Sequence, residues 1–516
     1  MAAIEHVAII GGGTAGWLTA GILAADHRAH AENGLKITLI ESPDVPTIGV
    51  GEGTWPSLRD TLQRIGIDEI QFLRACDASF KQGSRFDGWR DGGENDSYYH
   101  PFDAPPGEDD FDLVSLWRAA GDAAFSDAVG TQSTLCRNNR APKQVQTPPY
   151  AAVANYAYHL NAPALAELLR KHCTETLGVQ LIIDHVQDVS VAADGAVASV
   201  TTEDHGHISA DLFVDCTGSK ALLIGEALGV DVADVSDVLF NDRALAIHVP
   251  YKTPETAIPS QTNATALASG WVWDIALQSR RGVGYVFSSQ YADEAEAHAS
   301  LAAYLEHSAP GHDVDLASAR LLRFKSGFRK TPWVKNTVAI GMSQGFVEPL
   351  EASAIVMIEL AAAMLSDTLP QTTVQLPSSA NRFNQRFAYR WRRIVDFLKL
   401  HYVLSKRSEP YWAAHRDKDT WPDRLVELIE RWREMPPSRE DFMQAQEIFP
   451  AASYAFVLYG MGFKTTPRAY PRRKDLPERA QRRSQDLANQ TSRLISGLPT
   501  NRDLLNALCG RELVGS

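Results

Sequence analysis

The sequence predicts an α/β chain, with a parallel sheet in its first part and mainly helices in its last third. Three features predict it. A buried-strand pattern at the start runs into a glycine-rich turn and a helix, a two-residue apolar period covers residues 179–215, and a helical period dominates from about Ala352 onward. A length of 516 residues corresponds to about three domain-sized pieces, or two with elaborations. Hydrophobic residues make up 44% and charged residues 22%, a balance that buries a large core.

Composition also excludes function classes. A net charge of −13 leaves no broad positive face for nucleic acid. Five scattered cysteines (Cys76, Cys136, Cys173, Cys216 and Cys509) without a CxxC pair predict neither a disulfide framework nor a metal site. No basic stretch precedes the first apolar run. The longest apolar stretch, Ala352 to Leu365, is broken by Glu359 and falls short of the about 20 helical residues that span a bilayer. The expectation is a soluble, cytoplasmic protein with no membrane partner.

The elements follow in order. His6 to Ile10 suits a strand buried on both faces. Gly11, Gly12, Gly13, Thr14, Ala15 and Gly16 then form Gly-x-Gly-x-x-Gly at the start of a helix. Gly11 permits the tight turn, Gly13 lets backbone approach a pyrophosphate, and Gly16 lets helix and strand pack closely. The helix N-terminus attracts phosphate charge. A second strand, Lys36 to Ile40, ends at Glu41, 25 residues beyond Gly16, where a carboxylate grips a ribose hydroxyl. These parts together predict a dinucleotide site.

Asn161 to Thr176 reads as a helix capped by Asn161, with Leu165, Leu168, Leu169 and Cys173 as its apolar stripe. Strands Val179–Ile183, Val186–Val191 and Val197–Thr202 follow, the last two joined by an Asp194-Gly195 turn. Phe213 to Gly218 is another buried strand and tight turn. Such a meander between dinucleotide half-folds is typical of FAD proteins. Gly341-Met342-Ser343-Gln344-Gly345 fits a nucleophile elbow between a strand and a helix, but also an ordinary glycine turn that points amides at a ligand. The polar, basic stretch Pro467–Arg493 reads as a solvated helical surface.

Seven blocks, in order, resemble the flavin-dependent tryptophan halogenases from the first strand to about Gly460. They are Gly11–Trp17; Gly49 to Thr54 with Pro56; Phe80-Lys81 followed by Trp89; Tyr158 to Asn161; Asp215 to Gly218; Gly270 to Ile275; and Gly345 to Glu351. The resemblance implies a Rossmann-like FAD fold of the aromatic-hydroxylase type. Residues 1–350 would hold FAD and an intervening substrate-side sheet, and residues 351–516 would form a mainly helical substrate-binding region. It implies that FAD arrives as FADH2 from a separate NAD(P)H-dependent flavin reductase. Halide and O2 then yield hypohalous acid, which passes through an internal tunnel to a small aromatic substrate. Val50, Val186, Met342 and Ile355 join the glycine turn and Glu41 in the implied flavin site. The oligomeric state, monomer or homodimer, is left open.

Residue by residue, Lys81 matches the catalytic lysine, whose compact ammonium holds or is halogenated by hypohalous acid. Glu351 matches the catalytic glutamate, a base for the proton lost as the arene rearomatises, with Glu348 a near competitor. Ser353 and Ala354 fall where the family holds halide on backbone amides. The usual glycine is Ala354 here, which predicts a restricted backbone. Trp271 and Trp273 match indoles that wall flavin from substrate, in a motif ending in Ala276 rather than proline. His100 and Phe102 fall where the substrate ring is sandwiched. Between residues 445 and 463 the paired tyrosines and acid that clamp free tryptophan do not align, so an indole-like or larger aromatic is expected, accepting chloride or bromide. The same scaffold also serves aromatic monooxygenases, and a module without chemistry is a further alternative.

Overall fold

The computed structural model describes residues 2–44, 49, 51–105, 113–311, 314–466 and 475–510. By proximity the chain divides into two compact units, each assembled from three stretches. The first is Met1–Ala78, Leu160–Val235 and Lys325–Arg392; the second is Ser79–His159, Ser236–Phe324 and Arg393–Ser516. The expected change from strands to helices does fall near residue 351: from Ser353 on, every helix or strand among the described residues is a helix.

The first unit is built on a six-stranded sheet in the order Trp333–Val334, Thr337–Ala339, Leu212–Asp215, His6–Ile10, Lys36–Glu41 and Gln180–Ile183. Every pairing is parallel except the one to Trp333–Val334. Parallel strands covered on both faces need continuous apolar runs, and Val7, Ala8 and Ile9 are fully buried. A three-stranded meander forms from Val186–Val191, Val197–Thr202 and Gly206–Ile208, the last a strand not expected, while the expected first strand, Gln180–Ile183, instead pairs parallel at the edge of the six-stranded sheet. Val197 and Val200 of the meander pack on Ala8, Ile10, Ile40 and Phe213 of the sheet. At the end of its strand, fully buried Asp215 accepts the amides of Thr217, Leu223 and Ile224 and the Thr217 hydroxyl. Those four donors replace the water that the carboxylate gives up. The helix Ala162–Glu175 appears as expected, although Asn161 makes no side-chain cap.

The second unit holds a seven-stranded sheet in the order Arg320–Arg323, Arg243–Pro250, Arg280–Phe287, Gly270–Ala276, Thr262–Leu267, Gly83–Asp87 and Ser97–Pro101. Its two faces follow from strand alternation. Leu245, Ile247, Val272, Val283 and Tyr285 pack under the helix Glu294–Ser308. The opposite face carries Trp271, Trp273, Phe86 and Tyr98 with small neighbours. Gly284, paired with Trp273, is required there, because a Cβ would lie 2.0 Å from the indole ring.

In the first unit, the helix Ser353–Asp367 is buried on most sides, Glu359 included. The Glu359 carboxyl receives the hydroxyls of Thr61 (2.5 Å) and Ser57 (3.2 Å), and burial pushes its pKa up to about 8. The native protein therefore keeps a proton that the unfolded chain, with a carboxyl near 4.5, has lost. Stability falls as pH climbs from about 4.5 to about 8. Glu359→Gln is expected to flatten that fall, making the variant more stable than the parent by on the order of 2 kcal/mol at pH 8. Denaturant unfolding at pH 5.5 and pH 8 checks this; parallel pH profiles for the two proteins would contradict it.

Candidate active site

The glycine turn divides into packing and cradle. Gly11 has φ +113°, and a Cβ there would fall 2.3 Å from the Cys216 carbonyl oxygen. A Cβ on Gly16 would lie 1.9 Å from the Gly11 carbonyl oxygen. Gly13 differs: a Cβ there meets nothing within 4 Å. Gly13 begins the helix Thr14–Asp26, and no side chain caps that end. Amides at an uncapped helix start, facing open space, fit the pyrophosphate of a dinucleotide.

The structure places the other expected cofactor residues of the first unit as follows. Ala15 lies under Gly341, whose Cβ would come within 2.7 Å of it. The neighbouring Met342 is 42% exposed. Glu41 ends its strand as expected, packed on Gly12, with the Trp17 indole donating at 3.2 Å and the Arg170 guanidinium ion-paired at 3.6 Å. Burial raises its carboxyl pKa, partly opposed by Arg170 and the indole N–H. Val186, partly buried, packs on the cluster that holds Ile10 and Ile40, and Ile355 is buried in its helix. Val50 lies outside the described residues.

Of the two readings of the Ser343 segment, the structure excludes the nucleophile elbow. Ser343 is buried, and its hydroxyl donates to the carbonyl oxygens of Asp215 and Ile340. Ser343 ends a short 3-10 turn, Gly341–Ser343, and the strand Gly345–Phe346 follows rather than a helix. A hydroxyl held on backbone inside the sheet end is not a nucleophile.

Glu351 occupies a turn of unusual geometry. It has φ 64° and ψ 7°, and Ala352 has φ 54° and ψ 46°. Left-handed backbone costs an L residue roughly 1–2 kcal/mol, and such strain collects at functional sites. The Glu351 carbonyl oxygen accepts the Trp55 indole N–H at 2.7 Å, and the Ala352 amide donates to Pro349 at 3.0 Å. Ser353 and Ala354 open the next helix, which no side chain caps. Ala354 lies within that helix and is not among the positive-φ residues. The loss of the family glycine therefore brings no backbone restriction at 354; the strain sits two and three residues earlier.

In the second unit, Lys81 is 1% exposed. It ends the strand Ser79–Lys81, paired antiparallel with Ala157–Leu160. Phe80 turns to Tyr156 and Tyr158, with ring centroids at 5.3 and 6.1 Å. The Lys81 ammonium lies 5.3 Å from the centre of the Phe102 ring. Buried His159, cross-strand from Ser79, bonds the Thr262 hydroxyl at 2.8 Å. Burial, and then the Lys81 charge, hold its pKa well below the usual imidazole range, so it stays neutral. The Ser79 hydroxyl donates to the Ala276 carbonyl, tying the lysine strand to the end of the tryptophan strand. Phe102 is fixed by its amide to Gln82 and by Asn155 to its carbonyl, both at 3.1 Å. His100 is held by the Ser453 hydroxyl at 3.0 Å, between Phe397 and Phe456. Trp271 lies in contact with Trp89, ring centroids 6.0 Å apart.

The structure thus brings Lys81 and Phe102 together, with His100 on the strand leading to Phe102. Trp55, His159 and Ser453 were not singled out from sequence. Trp55 and His159 sit inside recognised blocks, and only the fold reveals what they touch. Among the described residues no group of three or more His, Cys, Asp or Glu side chains is placed to hold a metal. No described helix is long and apolar enough to cross a membrane.

Comparison with known proteins shows the family. A family model described as Tryptophan halogenase matches residues 6–477. The tryptophan 6-halogenase SttH of Streptomyces toxytricini is 33% identical over 481 residues, covering 89% of each chain. The tryptophan 7-halogenase RebH of Lentzea aerocolonigenes is 34% identical over 449 residues, 83% of this chain and 82% of its own. A solved tryptophan halogenase from Shewanella frigidimarina is similar with a TM-score of 0.94 and 46% identity, covering 99% of this chain and 98% of that one. The chain belongs to the tryptophan halogenase family as a flavin-dependent halogenase.

Proposed function

We propose that the protein halogenates an electron-rich aromatic, such as an indole other than free tryptophan, through Lys81. The observation that carries this is the Lys81 ammonium, removed from water and set against the Phe102 ring beside a neutral imidazole. Reduced FAD, when bound, supplies with O2 the two-electron oxidation of chloride or bromide to hypohalous acid. Gly11, Gly13, Thr14, Ala15, Gly16 and Glu41 hold the dinucleotide, with Val50, Val186, Met342 and Ile355 beside it. The Ser353 and Ala354 amides hold the halide. Residues 1–350 serve flavin and sheet, and 351–516 supply helical substrate surface.

Lys81 retains the oxidant, either by donating hydrogen bonds to it or as a haloamine. Water is excluded there, so the oxidant is not diluted before it meets the arene. Phe102 stacks on the substrate ring and His100 lines its edge. As halogen adds to carbon, the displaced ring proton passes to the Glu351 carboxylate, with water as the other product. Trp271 and Trp273 keep the arene from the flavin. The helix Ala451–Gly460 supports a substrate other than free tryptophan. Its Ser453 is engaged by His100, and its Tyr454 is buried among Phe397, Trp432 and Phe442. A separate NAD(P)H-dependent flavin reductase supplies FADH2 by diffusion in the cytoplasm.

The test supplies purified protein with FAD, a flavin reductase, NADH, indole and either halide, and reads product masses. A halogen isotope pattern is expected; an added oxygen would favour hydroxylation, and an unmodified product would overturn the reading. Lys81→Ala is expected to abolish halogenation while oxidation of the reduced flavin by O2 continues. Glu351→Gln is expected to lower turnover by about 100-fold or more with FAD still bound, and unchanged turnover would move the base to Glu348. Gly13→Ala is expected to leave the melting temperature unchanged and weaken FAD binding about tenfold or more, whereas Gly16→Ala destabilises the fold itself. Flavin fluorescence titration and thermal melts separate the two.

A further inference from the structure

We infer that Trp55 is a positioning residue for the halide-binding turn, its indole N–H latching the peptide between Glu351 and Ala352 in a left-handed geometry. The inference rests on the proposed roles of Glu351, Ser353 and Ala354, and it adds a residue that neither motif nor likeness assigns.

Glu351 and Ala352 are the only adjacent pair of non-glycine residues with positive φ among the described residues. Both resist that conformation. Relaxing the pair means rotating the φ of Glu351 together with the intervening peptide, because turning the peptide alone would leave Glu351 at φ 64° with ψ near about 180°, a region reserved for glycine. The same rotation swings the Glu351 carbonyl to the opposite side. The Trp55 indole N–H donates to that carbonyl oxygen at 2.7 Å, so the rotation breaks this bond. It also breaks the Ala352 amide bond to Pro349.

The latch has a firm base. Trp55 stands just before the helix Ser57–Arg64, whose Ser57 and Thr61 hydroxyls grip Glu359 two turns into the helix that begins at Ser353. The two segments are joined at both ends of a short rectangle, by an indole–carbonyl bond and a hydroxyl–carboxyl pair. Held this way, the turn aims the Glu351 side chain and delivers the chain into the helix with its first amides facing outward. In a chain with glycine at 352 the left-handed form costs nothing; here alanine makes the tie necessary.

Crystal structures and halide kinetics of Trp55→Phe and Trp55→Phe/Ala352→Gly test this. Trp55→Phe keeps the ring and removes one donor. The expected structure has Ala352 at negative φ, and the halide KM rises about three- to tenfold with FAD affinity and aromatic-substrate KM within about twofold. In the double variant glycine accepts the left-handed form unaided, so positive φ and most of the halide affinity return. A merely packing role for Trp55 predicts no such rescue. Positive φ and unchanged halide KM in Trp55→Phe would overturn the inference, as would a double variant no better than the single. If the parent protein makes no halogenated product, the functional reading fails, while the φ of Ala352 still decides whether Trp55 is the latch.

Discussion

A positive charge withdrawn from water organises the second unit. Burying an ammonium is costly unless its surroundings repay the lost hydration, and Lys81 is almost wholly inaccessible. Three features meet that demand. The Phe102 ring offers its electron-rich face, His159 stays neutral under the same charge, and the strand holding the lysine is tied to its neighbours by the Ser79 hydroxyl. Polarity is thus concentrated on one side of the strand, while Phe80 on the other side joins a purely aromatic cluster.

The first unit is marked instead by bare backbone at two helix starts. Two helices, Thr14–Asp26 and Ser353–Asp367, begin without a side-chain cap, and their unsatisfied amides carry the positive end of the helix dipole. Each follows a turn that ordinary residues adopt with difficulty. Glycine solves the first at Gly11, where even one carbon would strike Cys216. Hydrogen bonds solve the second, where Glu351 and Ala352 stay left-handed despite their side chains. The same physical end, a helix start without a side-chain cap, is reached once by residue type and once by tertiary restraint.

Several apparent departures from the family pattern change meaning in this light. Ala354 lies in regular helix, so glycine's absence there is neutral. Ala276 serves through its carbonyl, which any residue supplies. Ser343 shows the converse: a motif complete in sequence is inert because the fold turns its hydroxyl onto the backbone.

What the sequence by itself determined was local: the strand–glycine–helix unit, the meander with its Asp194-Gly195 turn, the helical last third, and the seven blocks that carry the family. Each is written in apolar period, glycine placement or a short motif, which act over a few neighbouring residues. Tertiary structure alone decided that Lys81 is dry, that Phe102 is its neighbour, that Ser453 holds His100, and that Trp55, nearly 300 residues away in sequence, steadies the Glu351 turn. Burial and hydrogen-bond partnership across distant segments depend on how whole sheets and helices pack, and no local pattern encodes which side chains will then meet.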